Sequence, residues 1–197
     1  MYKTYGKPKW LSGWMLILIG LTGLLFCGCG SSSNVDKLTS QLNDPDPDVR
    51  YEAAKGLEDF GPQARQAVGA LANLLNDEDP KIRLRAVRAL SKIGFAAKEA
   101  VEQLAVALGD ENQDVRYYAA KAIDHFAEEA EPAIDALMSA LSDEHAKVRY
   151  YAAKSLGKIG ENASPALSQL EELTEDEDDS VSKAAESAIR RINKSQS

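Results

Sequence analysis

The sequence predicts an all-α fold, a right-handed α-solenoid of five helix pairs of 33 residues each. The chain repeats one plan at that interval, as DENQDVRYYAAKAIDHFA (residues 110–127) and DEHAKVRYYAAKSLGKIG (residues 143–160) show. Leucine recurs from Leu38 to Leu170, aspartate from Asp44 to Asp176 and alanine from Ala53 to Ala185. A period of this length is typical of a stacked array, in which each unit buries its apolar stripe only against its neighbours.

Residues 1–28 have the composition of a secretory signal. Lys3, Lys7 and Lys9 precede an uncharged, mostly apolar run over residues 11–26, which is shorter than the ~20 residues that span a bilayer comfortably. Gly28 before Cys29 resembles the lipobox of bacterial lipoproteins, in which a small residue precedes the lipidated cysteine. We therefore expect a lipid on Cys29 and a flexible tether over the rest of residues 29–34. An uncleaved signal anchor is the alternative.

The repeat domain is predicted over residues 35–197, with units at residues 35–64, 65–97, 98–130, 131–163 and 164–197. Each unit holds a first helix of about ten residues and a second helix with an apolar stripe. The N-cap position of the second helix is held by Asp46, Asp79, Asn112, His145 and Asp178. Glycine follows the second helix where a left-handed residue is favoured, at Gly61, Gly94 and Gly160, and Ala127 is the exception. Polar residues on the fifth unit mark it as the C-terminal cap.

The pattern D-x-x-x-x-V-R-x-x-A-A-x-x-L-x-x-I-G resembles the short HEAT-like repeats of bacteria, including those of the phycobilin-lyase-related family. In such arrays an aspartate and the arginine six residues later form a ladder that fixes the stacking, the arginine reaching the carboxylate of its own or the adjacent loop. Ser182 interrupts the pattern in the fifth unit. The resemblance implies a ladder of Asp44, Arg50, Asp77, Arg83, Asp110, Arg116, Asp143 and Arg149.

Little in the repeats supports catalysis. They hold no cysteine after Cys29 and two histidines, of which His145 is in the N-cap column and His125 in a variable column. Hydroxylases that resemble this array bind iron through His-Glu pairs, and this chain has only the reversed Glu144-His145. We expect no catalytic residue, no metal ion and no cofactor. A lyase-like or hydroxylase-like enzyme that uses His125 or His145 is the alternative, and a purely structural envelope protein is a third possibility.

The charge of the chain bears on its partners. The formal net charge is −8, and all three lysines before the repeats precede the first acidic residue, Asp36. The repeats are therefore more acidic than the whole chain, which argues against binding to nucleic acid. We expect localisation in a bacterial cell envelope, with a membrane-anchored repeat domain on the extracytoplasmic side.

Aromatic and basic side chains recur on the outward side of the second helices, which line the concave side of HEAT arrays. Tyrosine and arginine are enriched in protein interfaces, so the sequence predicts a non-enzymatic scaffold that binds a protein or an acidic peptide there. The alternative is that the rings pack between neighbouring helices and the lysines merely solvate the face. The candidate partner-binding residues are Tyr51, Tyr117, Tyr118, Tyr150, Tyr151, Lys55, Arg88, Lys121 and Lys154.

Overall fold

Two rows of helices run along the array. The computed structural model describes residues 29–195, which fold into helices with no β-strand; the predicted signal segment, residues 1–28, lies outside the described residues. The first helices of the five units are α1 (Cys29–Gln41), α3 (Val68–Asn73), α5 (Val101–Ala107), α7 (Ile134–Ala140) and α9 (Leu167–Glu172). The second helices are α2 (Pro47–Phe60), α4 (Pro80–Ile93), α6 (Gln113–Asp124), α8 (Ala146–Ile159) and α10 (Asp179–Ser195).

The five-unit α-solenoid is confirmed. Each second helix packs on the next along the whole described array, α2 on α4, α4 on α6, α6 on α8 and α8 on α10. The recurring apolar columns are buried: Leu71, Leu104, Leu137 and Leu170 are all fully enclosed. Helix α1 begins at Cys29, so residues 30–34 are helical where the sequence analysis expects a flexible tether. Within residues 29–195 no helix combines the length and apolar character needed to cross a bilayer.

The first helices differ from the expected single run of about ten residues. In units two, three and five they begin with a 3₁₀ segment, at Gly61–Ala67, Gly94–Ala100 and Gly160–Ala166. Each segment opens at a glycine with positive φ (52°, 75° and 77°), a conformation that glycine adopts without a Cβ clash. At the remaining junction, which leads into unit four, Ala127 replaces the glycine. There α6 ends at Asp124 and two shorter 3₁₀ segments follow, Ala127–Glu129 and Glu131–Ala133.

The loops before the second helices are closed by side chains of the aspartate column. Asp110 accepts a hydrogen bond from the backbone N–H of Asn112 (2.8 Å), and the same contact recurs in all five units. Asn112 then caps α6 by accepting from the N–H of Asp114 at 2.9 Å. His145 occupies the same N-cap position of α8 with the same extended backbone, but its side chain makes no capping hydrogen bond.

The arginine ladder joins each unit to the next. Arg50 donates from Nε and Nη2 to both carboxylate oxygens of Asp77, at 2.7 and 3.2 Å, and from Nη1 to the backbone carbonyl of Asp44 at 3.0 Å. The sequence left open whether each arginine binds the carboxylate of its own loop or that of the adjacent loop. The structure shows that it binds the carboxylate of the adjacent loop. The same fork recurs from Arg83 to Asp110, from Arg116 to Asp143 and from Arg149 to Asp176.

This geometry changes the membership of the ladder at its two ends. Asp176 is a full member, although the sequence analysis did not include it, because it receives Arg149 at 2.8 Å. Asp44 takes part through its carbonyl, and its carboxylate caps the loop instead. The ladder ends where expected, at Ser182, whose hydroxyl donates to the carbonyl of Thr174 at 2.6 Å.

Removing one arginine from the middle of the ladder is expected to destabilise the array strongly. In Arg116→Met, the carboxylate of Asp143, which is 7% exposed, would lose its counterion, and such a loss costs about 3–5 kcal/mol. Urea unfolding followed by circular dichroism measures the effect. Lys55→Met is the control, because Lys55 pairs with the exposed Glu52 at 3.4 Å and should change stability by less than about 0.5 kcal/mol. Equal unfolding midpoints for the two variants would contradict the role of the ladder.

Candidate functional site

The basic residues of the chain are concentrated on the second helices. Helices α4 and α8 together carry nine lysines and arginines and no aspartate or glutamate, although the whole chain has a net charge of −8. We call the outward surface of α2, α4, α6, α8 and α10 the second-helix face. All nine candidate partner-binding residues are on it. This face is the place where an anionic partner would be attracted.

Four of the predicted tyrosines form one cluster across units three and four. The ring centres of Tyr117 and Tyr118 are 4.8 Å apart, those of Tyr117 and Tyr151 5.8 Å, and those of Tyr150 and Tyr151 5.1 Å, all in edge-to-face contact. The four side chains are half-buried and pack against the core. The rings thus pack between neighbouring helices, as the alternative interpretation expects, while they still present part of their surface to solvent. We call these four residues the tyrosine cluster.

Cations surround the tyrosine cluster. The ammonium of Lys121 lies 6.0 and 5.8 Å from the ring centres of Tyr117 and Tyr118, and that of Lys147 lies 5.6 Å from the centre of Tyr117. Among residues 29–195, neither lysine forms an ion pair with a carboxylate. Their contacts with ring faces are weak enough at exposed sites, about 0.5–1 kcal/mol, to leave both charges available to a ligand.

Tyr51 does not belong to the cluster. Its hydroxyl accepts a hydrogen bond from Arg85 at 2.7 Å, and the same guanidinium lies 5.0 Å from its ring centre. Lys55, also a predicted partner-binding residue, is paired with Glu52. Sequence reasoning missed Arg85, since it occupies the column that holds Tyr118 and Tyr151 in later units.

Two other predicted cations are held by buried acids that the sequence analysis did not identify. Arg88 binds the carboxylate of Glu58 at 2.8 Å, together with Arg85 at 3.1 Å and Lys92 at 3.2 Å. The Glu58 side chain is only 3% exposed. Burial alone would raise the pKa of the Glu58 carboxyl, but the hydrogen bonds from Arg85 and Lys92 and the charge of Arg88 outweigh it, so this pKa lies below its usual value.

The second buried acid is Asp124. It binds Lys154 at 2.9 Å and Lys158 at 2.8 Å, and its backbone carbonyl accepts from Lys158 at 2.7 Å. Burial lowers the pKa of Lys154, but the hydrogen bond to Asp124 outweighs this and raises it above the usual value. A signal for both acids was present in the sequence, because Glu58 and Asp124 occupy the same position of units one and three.

The two histidines lie in different surroundings. His125 follows α6 directly and is only partly covered by its neighbours. This partial burial and the charges of Lys121, Lys158 and Lys154 lower its pKa below the usual value despite the nearby Asp124. The ring of His145 lies 6.3 Å from that of Tyr117, and its Nδ1 is buried without a hydrogen-bond partner. In the part of the chain that the structure describes, no three His, Cys, Asp or Glu side chains are grouped closely enough to hold a metal ion.

Comparisons with known proteins agree with this architecture. A family model for HEAT repeats matches residues 35–110 and 101–190. A crystal structure of an engineered protein is 25% identical, with a TM-score of 0.67 over 81% of this chain and 79% of its own. The complex of CpcE and CpcF of phycocyanin lyase from Nostoc sp. PCC7120 is also 25% identical, with a TM-score of 0.66 over 81% of this chain and 65% of that chain.

A designed armadillo repeat protein in complex with the peptide (KR)4 has a TM-score of 0.73 at 22% identity, with 83% of each chain covered. No curated protein matches the sequence of this chain. The structural likeness is therefore one of fold, and the features of the second-helix face must carry any argument about what this chain does.

Acidification is expected to weaken the array through Glu58. Since the folded-state pKa of this carboxyl is below the unfolded value of about 4.3, its stabilisation is complete above that value and is lost as the pH falls through the folded-state pKa. Urea midpoints measured from pH 7 down to pH 3 should fall less steeply in Glu58→Gln, which starts from a lower midpoint at pH 7. Glu52→Gln removes an exposed carboxylate and serves as the control. Parallel curves for wild type and Glu58→Gln would contradict this prediction.

Proposed function

The chain belongs to the HEAT repeat family, and from that premise we propose that it is a non-enzymatic scaffold that binds an acidic peptide segment of a protein partner on the concave face of its second helices. The observation that carries the proposal is the contrast between an acidic chain and a second-helix face to which α4 and α8 contribute no acidic residue, while seven of their nine basic residues lie outside the ladder. Such a face attracts an anionic segment.

The tyrosine cluster adds apolar contact area to the electrostatic attraction of the lysines and arginines. Half-buried tyrosines contribute apolar surface with little loss of conformational entropy, since their rings are already packed against one another. Between the cluster and α10 lies a groove of about 390 Å³, which contains one base, Lys147, and one acid, Asp178. Its other lining residues are Tyr117, Ala146, Tyr150, Tyr151 and Ser180. An extended peptide along this groove would place its backbone on the rings and an acidic side chain beside Lys147. Its continuation past the ring of Tyr117 would reach Lys121.

Two of the similar structures support a protein or peptide partner. The designed armadillo repeat protein is in complex with the basic peptide (KR)4, whereas this chain would bind a peptide of the opposite charge. The phycocyanin lyase structure is a complex of two subunits, CpcE and CpcF. That likeness also gives weight to a second candidate, an accessory or lyase-like enzyme on this fold, which would need His125 or His145 in a working site.

We further propose that the scaffold is attached to a membrane on the extracytoplasmic side through a lipid on Cys29. The support comes from the sequence: the basic residues before an uncharged apolar run, and Gly28 before Cys29. A tethered scaffold searches for its partner only near the membrane, which raises the effective concentration of partners held there.

Binding of a short acidic peptide tests the scaffold proposal. We expect a fluorescein-labelled (Asp-Glu)4 peptide to bind a variant of the protein that begins at residue 30, as measured by fluorescence polarisation, and a (Lys-Arg)4 peptide to bind at least about tenfold more weakly. Binding should weaken as salt is raised, because the charges of the face are screened.

The matched variants are Lys147→Glu and Lys37→Glu. Lys147 is exposed beside the tyrosine cluster, whereas Lys37 is exposed on the first helix α1. Reversal of the charge at Lys147 should weaken binding about tenfold, and the same change at Lys37 should leave it within about twofold. Equal affinity for the two peptides, or equal effects of the two substitutions, would refute the proposal.

Substitution of Cys29 tests the anchor. In Cys29→Ser, the precursor should stay unprocessed and lack a lipid, because serine has no thiol to carry the thioether. Mass spectrometry and membrane fractionation of the protein expressed in a bacterial host measure both properties. Cys27→Ser is the control and should be processed and lipidated normally. Normal processing of Cys29→Ser would contradict lipidation at this residue.

A further inference from the structure

One position near the end of the second helices holds either an acid or a small residue. Successive units have Glu58, Ser91, Asp124 and Gly157 there, and we call these four residues the acid row. Each acid of the row binds cations of the next second helix that are 30 and 34 residues further along the chain. For Glu58 they are Arg88 and Lys92, and for Asp124 they are Lys154 and Lys158.

At Ser91 the row keeps the bases and lacks the acid. The residues 30 and 34 positions after Ser91 are Lys121 and His125. Ser91 is buried, with 5% of its surface exposed, and its short side chain carries no charge. Lys121 accordingly has ring contacts but no ion pair within the described residues 29–195. At this gap the base at the 30-residue spacing is retained and has no carboxylate of the row beside it.

The missing carboxylate leaves a cleft at this point of the second-helix face. The cleft has a volume of about 320 Å³. One acid is part of its lining, but Glu58 is already neutralised by Arg85, Arg88 and Lys92, so the cleft retains an excess of positive charge. We call it the Ser91 cleft; its lining residues are Glu58, Arg88, Ser91, Lys92, Tyr118, Lys121 and His125.

The absence of an acid at Gly157 has a different cause. A Cβ atom at Gly157 would lie 2.6 Å from the Cα of Ala188, so the close approach of α10 to α8 admits no side chain. Of the two positions of α10 that correspond to the facing bases, the first holds Ser187 and the second holds Arg191. At Ser91, in contrast, both the space and the base Lys121 are retained.

We propose that the Ser91 cleft receives a carboxylate side chain of the bound partner, which completes the acid row between Glu58 and Asp124. This inference rests on the proposed function, since it assigns one acidic residue of the peptide to one cleft of the face. A carboxylate is favoured over other anions because the chain itself places a carboxylate against a base at the 30-residue spacing one unit before and one unit after, and Lys121 is the base at that spacing here. There it would accept hydrogen bonds from Lys121 and from the hydroxyl of Ser91.

The first test needs no partner. Ser91→Glu supplies the carboxylate from within the chain, and Ser91→Gln has nearly the same volume without the charge. We expect Ser91→Glu to melt at least about 2 °C higher than Ser91→Gln, and the difference to vanish when Lys121→Met is added to both. If the two variants melt together, the cleft does not accept a carboxylate and the proposal is overturned.

The second test uses the (Asp-Glu)4 peptide. Lys121→Met and Ser91→Glu should each weaken its binding about tenfold, whereas Lys121→Arg, which keeps the charge, should retain most of it. If these variants bind normally while Lys147→Glu still weakens binding, the scaffold function stands and the cleft assignment falls. If the wild type does not bind the peptide, the scaffold proposal fails, and the melting comparison alone decides whether the cleft holds a carboxylate. Displacement of the peptide by inorganic phosphate but not by acetate would assign the cleft to phosphate and overturn the proposal.

Discussion

The fork from each ladder arginine to the aspartate of the next loop is the interaction on which the stacking depends. One guanidinium binds both oxygens of a carboxylate 27 residues ahead and a backbone carbonyl of its own loop, so it fixes the distance and the rotation between two units at once. The same aspartate caps the loop in which it lies. A solenoid is stabilised only by its nearest-neighbour interfaces, and a bidentate contact of this kind selects one stacking register among several that apolar stripes alone would allow.

This arrangement leaves the outward side of the second helices free for other uses. Alanines such as Ala119 and Ala152 and the ladder arginines take up the inward and loop-facing positions, so stacking constrains the remaining columns less strictly. That freedom agrees with a column that mixes aromatic, aliphatic and charged residues, whereas the column of Val115 holds only valine and isoleucine. The mixed column consists of Tyr51, Leu84, Tyr117, Tyr150 and Lys183. The fold tolerates variation in this column, so its residues can be used to bind a partner.

Periodicity is the reason that the fold could be predicted and the site only in part. Residues that recur in all or nearly all units, such as those of the Asp110 and Arg116 columns, indicate how the units stack. They recur because every unit must pack against its neighbours. Glu58 and Asp124 hold the same position in only two units, so this position is not recognisable as a recurring column. These two acids nevertheless determine which basic side chains are without an ion pair. The direction of the ladder could not be predicted from the sequence, because an arginine side chain is long enough to reach either of two loops. The 3₁₀ openings depend on the backbone at Gly94 and Gly160, which a helical pattern does not specify.

The buried acids determine which cations of the basic face are available to a ligand. Lysines and arginines in a row would repel one another and move widely, and a partner would have to order them at a cost in conformational entropy. Glu58 and Asp124 hold Arg88 and Lys154 in fixed positions, so these cations shape the surface while much of their charge is already compensated. Lys121 and Lys147 lie within this ordered frame and retain their full charge. Specificity on this face therefore depends less on the number of basic residues than on where the chain omits an acid. At Ser91 it does so and keeps both a cleft and the base Lys121, which is unpaired within the described part of the chain.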